Sequence, residues 1–385
     1  MPSCVAVRLA PCSISVFGPF RTPPNARDQC PRSVPEIRPQ PRLGSNLRLR
    51  RAPAGAAQGS LDLGVTAQDF GRRRFHKLSD LRTLAPAKDP VKLSRRTPLV
   101  RLIIGSMKRL RISAISYLNT APLMWDFEHG DAATAFDISY TVPSQCAADL
   151  AAGSADIGIV PAAGYASIPG LAILPGVAIA SRCPVRSILL VSQVPLDKIR
   201  SVALDTSSLT SAALTKVLFA KWWGEGRTFT PMAPDVDKML QAYDAGLVIG
   251  DPALKVDRSR HLFSYDLAEE WIRLTGKPFV FAFWAVRQAA LANAPAALDL
   301  ASIFQESRDH GLQADSVQVI AREWATRLGL SEADVKSYLT ENIYYDLDPG
   351  CLDGLQLFYR YAEECGALPA APSLRFLDVA KTAAL

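Results

Sequence analysis

Two polar clusters stand out because each follows a short apolar run and precedes a helix-like one. The first, Ser116, Tyr117, Asn119 and Thr120, lies in ISYLNTAPL, residues 115–123. The second, Asp205, Thr206, Ser207, Ser208, Thr210 and Ser211, lies in LDTSSLTS. Hydroxyls crowded at a helix start, with first-turn N–H groups and the positive end of the helix dipole, suit an anion such as a carboxylate. One capping residue satisfies a helix, and Ser208, Thr210 and Ser211 exceed that need. The first cluster reads equally as a turn whose Asn and Thr cap the next helix. Ser187, in CPVRSILLVS, is either a strand-start residue or a ligand of the cleft. Asp251, in VIGDPAL, either caps the helix that Pro252 begins or faces a cleft.

Other chemistries lack their residues. The four histidines, His76, His129, His261 and His310, lie far apart without partner spacing. There is no HExxH, Cys/His cluster or DxDxDG loop, so no metal is expected. The absence of GxGxxG and GxxxxGK[ST] argues against a dinucleotide or nucleoside triphosphate, and GxSxG is absent too. No cofactor is expected. The residues by themselves describe a site for a small anionic ligand, which an enzyme and a carrier share.

The elements that position these residues alternate strand and helix from Met107 onward, the α/β pattern. RLRISAIS, FDISYTVP and DIGIVP read as strands, with PLMWDFEHG and SQCAADLAAGSA as helices between them. Ser144 is the expected N-cap of the second helix, and Gly153 its stop. LAILPGVAIA and VRSILLVS follow, after which the pattern restarts with SVALD, a helix through SSLTSAALTKVLFAKWW, the helix DVDKMLQAYDAG and the strand LVIGD. Leu214, Val217 and Leu218 recur at helical spacing. FVFAFWAVR is apolar and long enough to return to the first lobe. The rest reads as helices, one opened by a capping box of Ser331 and Asp334. A two-lobed clamp results, with residues 107–190 plus 285–385 as one lobe and 191–284 as the other. Ligands in such folds sit at the carboxyl ends of the strands.

The first 106 residues differ from the rest. They hold 19 Lys/Arg against 6 Asp/Glu, a net of +13, whereas the whole chain is +6 and residues 107–385 therefore carry −7. They also contain 13 of the 28 prolines and show no sustained periodicity, the composition of a disordered basic extension. A basic nucleic-acid arm and a transit peptide share that composition. The preferred reading is a dispensable extension, with Met107 as the working start and no nucleic-acid partner. No apolar run is long enough to span a membrane. Seven scattered cysteines without a CxxC pair suggest free thiols and a reducing, cytoplasmic setting.

Seven segments in order, ISYLNTAPL, ADIGIVPAA, PVRSILLVS, SLTS, VIGDPAL, GKPFVFAFWAVR and ENIYYDLDPGCLDGLQLFY, resemble the chorismate dehydratase family of the futalosine route to menaquinone. The resemblance covers the chain from Met107 onward. It implies a two-lobed fold similar to type II periplasmic binding proteins, with a central cleft. It also implies elimination of water from chorismate to give 3-[(1-carboxyvinyl)oxy]benzoate without metal or cofactor. Asn119 would then act at the reacting carbons, with Ser187, Ser208, Thr210, Ser211 and Asp251 binding substrate. The related dihydroxynaphthoate synthase shares the fold but lacks the SYLN-type opening. A non-catalytic solute-binding protein for a small carboxylate is the rival from another class, and would carry an export signal or a lipid-attachment Cys before the first strand.

Overall fold

The computed structural model describes residues 109–260, 263–292 and 298–378. The reading of residues 1–106 as a disordered extension lies outside them. The described residues form two five-stranded sheets. The first takes β1 (Leu110–Ile115), β2 (Phe136–Thr141), β3 (Ile157–Pro161) and β4 (Leu171–Ser181). The chain then passes to β5 (Ile188–Ser192), β6 (Ser201–Asp205), β7 (Thr228–Met232), β8 (Ala245–Ile249) and β9 (Phe263–Asp266), and returns with β10 (Phe279–Arg287).

The two sheets have the same plan. Their orders are β2-β1-β3-β10-β4 and β7-β6-β8-β5-β9. In each, the second strand pairs in parallel with the first and third. The fourth strand runs antiparallel to both its neighbours. That antiparallel strand is always the one arriving from the other lobe, β10 in the first sheet and β5 in the second. Two crossings therefore tie the lobes together, and the carboxyl ends of the parallel strands face one seam. FVFAFWAVR returns to the first sheet as its pattern predicts, and it is buried for all but its last residue.

Local chemistry explains most element ends. Ser208 caps the helix Leu209–Leu218 by accepting from the Ser211 N–H. Gly153 closes the helix Pro143–Ala152 in the left-handed region, where a side chain is disfavoured. Ser331 Oγ accepts from the Asp334 N–H at 3.0 Å and donates to the Asp334 carboxylate at 2.6 Å, a variant of the expected box. Pro175 sits within β4, which is tolerated because β4 is a sheet edge.

Three local expectations are corrected. The helix Pro143–Ala152 has Val142 as N-cap with Pro143 in its first turn, because proline supplies the helical φ and lacks the N–H that needs capping. Ser144 instead donates its N–H to the Ser207 carbonyl of the other lobe at 3.0 Å. Leu118–Met124 is a 3₁₀ stretch with Pro122 inside it, and the α-helix begins only at Trp125. The long helix expected through FAKWW turns π-helical at Phe219–Trp223.

Candidate functional site

β1 ends at Ile115, and its buried residues fix the direction in which ISYLNTAPL leaves the sheet. Ser116 pins the exit, since both its N–H and its Oγ donate to the Thr141 carbonyl. The 3₁₀ turn then swings Tyr117 and Asn119 toward the second lobe. Across the seam, β6 delivers LDTSSLTS. Buried Asp205 braces this loop: its Oδ1 accepts from the Ser207 N–H at 2.8 Å and the Ser207 hydroxyl at 2.6 Å, and its Oδ2 accepts from the Ile249 N–H at 3.2 Å. Asp205 therefore shapes the loop from behind. Burial raises its pKa, while the bonds from Ser207 and Ile249 oppose the rise.

Between the lobes lies a cavity lined by residues of both. Its walls are largely apolar, from Ile115, Pro143, Pro161, Ile179, Val185, Ile188, Ile249 and Phe281. Its polar lining is Tyr117, Asn119, Ser187, Ser208, Thr210 and Ser211. Of the six residues to which the family resemblance gives a site role, Asn119, Ser187, Ser208, Thr210 and Ser211 line it and Asp251 does not. Among the described residues, neither a carboxylate nor a cation lines it, and no His/Cys/Asp/Glu group is arranged to hold a metal.

The hydroxyls are not equivalent. Thr210 Oγ1 accepts from the Ala163 N–H and donates to the Phe281 carbonyl, each at 3.1 Å, so it joins the helix Leu209–Leu218 to the first lobe. Ser208 Oγ is occupied as the cap and donates to Ser211 Oγ at 2.9 Å, which leaves the Ser211 proton for a further acceptor. Tyr117 donates to Ser207 Oγ across the seam at 3.4 Å, and burial raises its pKa. Thr120 Oγ1 donates to Asn119 Oδ1 at a long 3.4 Å.

Asp251 is placed differently. It does not line the cavity; its Oδ1 accepts from the Leu118 N–H at 2.9 Å, holding the loop that carries Asn119 from the far side. Burial pushes its pKa up to about 6 against the opposing pull of the Leu118 N–H, Arg327 and Lys255. Gly250 beside it has φ +62°, and a Cβ there would lie 2.6 Å from two ring carbons of Tyr117. Only glycine lets this strand end pass so close to the cavity wall.

Sequence reasoning missed Tyr338. It lies on a π-helical turn, Tyr338–Asn342, is buried, and donates to Ser187 Oγ at 2.8 Å.

A lining of hydroxyls, one amide and apolar walls offers donors to an anionic group, with the positive end of the helix Leu209–Leu218 favouring negative charge. Residues 110–364 match the model of a family described as menaquinone biosynthesis. The chain belongs to that family. A chorismate dehydratase of Thermus thermophilus is 31% identical over 273 residues, covering 66% of this chain and 94% of the relative. A conserved gene product of Candida albicans with the generic periplasmic binding protein fold aligns at TM-score 0.51 and 13% identity, over 72% of this chain and 94% of its own. That likeness bears on the fold alone, and it agrees with the two-lobed architecture above. No helix among the described residues is long and apolar enough to cross a membrane.

Proposed function

We propose that this protein is a chorismate dehydratase, a hydro-lyase that removes water from chorismate to give 3-[(1-carboxyvinyl)oxy]benzoate in the futalosine route to menaquinone. One observation carries the reading: Asn119, Ser187 and Ser211 converge on a single apolar-walled cavity between the lobes, in a chain with a dehydratase relative at 31% identity. Four described cysteines are free thiols, which suits a cytoplasmic enzyme.

The chemistry asks little of the side chains beyond placement. The ring carboxylate activates the C3 proton of chorismate through the conjugated diene. Its removal spreads negative charge into that carboxylate, and departure of the C4 hydroxyl then completes an aromatic ring. The proton and the hydroxide together make the water released. Ser187 and Ser211 would donate to carboxylate oxygens, stabilising charge where it accumulates. Apolar walls such as Ile115, Ile249 and Phe281 would hold the ring flat and exclude water, aligning the C3–H and C4–O bonds. Asn119 is a poor base. It would orient the reacting edge, while the leaving hydroxide or a substrate carboxylate takes the proton.

The test is to incubate the full chain with chorismate and follow ultraviolet absorbance and mass. Formation of the aromatic ether supports the reading. Chorismate that is bound but returned unchanged would replace it with a solute-binding role. Asn119→Ala should lose at least about 100-fold in turnover while circular dichroism stays native; near-normal turnover would remove Asn119 from the site.

A further inference from the structure

We propose that Tyr338 is a positioning residue that sets the donor direction of Ser187, and that the π-helical turn carrying it is built for that task. The inference rests on the dehydratase reading and names a residue that does not itself line the cavity.

The phenol is 1% exposed, and its hydroxyl donates to Ser187 Oγ at 2.8 Å. A serine hydroxyl has one proton. With Tyr338 donating to it, Ser187 receives on one side and must give its proton elsewhere. Ser187 lines the cavity, so a ligand oxygen is the available acceptor. Burial raises the Tyr338 pKa well above neutrality, so it stays protonated and remains a donor.

The turn around Tyr338 is tied to the stretch leading into Ser187. Asn342 Nδ2 donates to the Pro184 carbonyl at 2.9 Å, Ser181 Oγ donates to the Asn342 carbonyl at 3.0 Å, and Cys183 Sγ donates to the Glu341 carbonyl at 3.1 Å. Arg186, next to Ser187, has φ +64°, a left-handed conformation disfavoured for any side chain but glycine. Its N–H donates to Asp266 Oδ2 at 2.6 Å, which holds the strained backbone from the other side. Single π-turns interrupt α-helices at a cost and recur where a side chain must be re-aimed. Here the two ends of the turn, Tyr338 and Asn342, meet Ser187 and Pro184 at the lobe crossing.

The test is a double-mutant cycle of Tyr338→Phe and Ser187→Ala in the full chain, reading kcat and KM for chorismate at a temperature where all four proteins are folded. Tyr338→Phe should lower kcat by roughly 10-fold or more with KM changed by less than about 3-fold. In the Ser187→Ala background the same change should have almost no further effect, since the partner is already gone. Full kcat in Tyr338→Phe, or losses that multiply independently, would overturn the proposal. An inactive wild type would instead overturn the dehydratase reading, and this inference with it.

Discussion

Thr210→Val separates a structural hydroxyl from a ligand-binding one at adjacent positions. Valine keeps the shape of threonine but removes Oγ1. Thr210 is 2% exposed, so water cannot replace what is lost. Two main-chain groups depend on that atom. The Ala163 N–H is at the start of the short helix Ala162–Tyr165 and has no intrahelical acceptor. The Phe281 carbonyl sits where the β10–β4 register slips between Val280 and Ala282, outside that ladder. Leaving a buried polar group unsatisfied costs about 1–3 kcal/mol. Two such groups make about 2–6 kcal/mol, a fall in Tm of roughly 4–12 °C at about 2 °C per kcal/mol for a domain of this size. Thermal unfolding by circular dichroism measures the first quantity, and chorismate turnover well below Tm measures the second. The expected result is a lower Tm with kcat/KM within about 3-fold of wild type. Ser211→Ala should behave oppositely, raising KM by roughly 10-fold with Tm nearly unchanged, since one lost hydrogen bond to a charged group is worth about 1.5–3 kcal/mol. An unchanged Tm together with a large rise in KM for Thr210→Val would refute the reasoning and return Thr210 to the substrate.

Two further predictions concern the far side of the Asn119 loop. The Asp251 pKa is raised to about 6 in the folded chain by burial, from an ordinary 3.8. The folded state therefore binds this proton more tightly than the unfolded one. Stability from it is complete below about pH 3.8 and is lost as pH rises through about 6. Asp251→Asn removes the charged form and still offers an oxygen to the Leu118 N–H. Its stability relative to wild type should improve between pH 4 and 8 by about 1–3 kcal/mol in urea unfolding, and a flat difference would refute the shift. Gly250→Ala places a Cβ against Tyr117 in a left-handed backbone. It should lose about 1–2 kcal/mol from backbone strain alone, and turnover should fall by at least about 10-fold as Tyr117 moves; wild-type turnover would show that the ring yields freely.

Much of this protein is written locally. Capping by Ser208, the stop at Gly153 and the strand character of SVALD and FVFAFWAVR depend on neighbours in the chain, so composition and spacing reveal them. So does the clustering of hydroxyls at a helix start. Short edge elements were not legible. β7 (TFTPM) and β9 (FSYD) carry no clear alternation, and each becomes a strand only because a neighbour offers an unpaired edge. The roles within the hydroxyl cluster were equally hidden. Thr210 and Ser211 are adjacent, yet the hydroxyl of Thr210 belongs to an interface with Ala163 and Phe281, and that of Ser211 accepts from Ser208 at the cavity wall. Asp251 looked like a cleft residue but braces Leu118, 133 positions away. Tyr338 meets Ser187 across 151 positions through a π-turn that helical periodicity does not forecast. Residue types and local spacing determined that a cluster of hydroxyls would stand at a helix start beside a strand end. Which atoms face the cavity was decided by the two chain crossings, because a hydrogen bond taken by a distant partner is no longer free for a ligand.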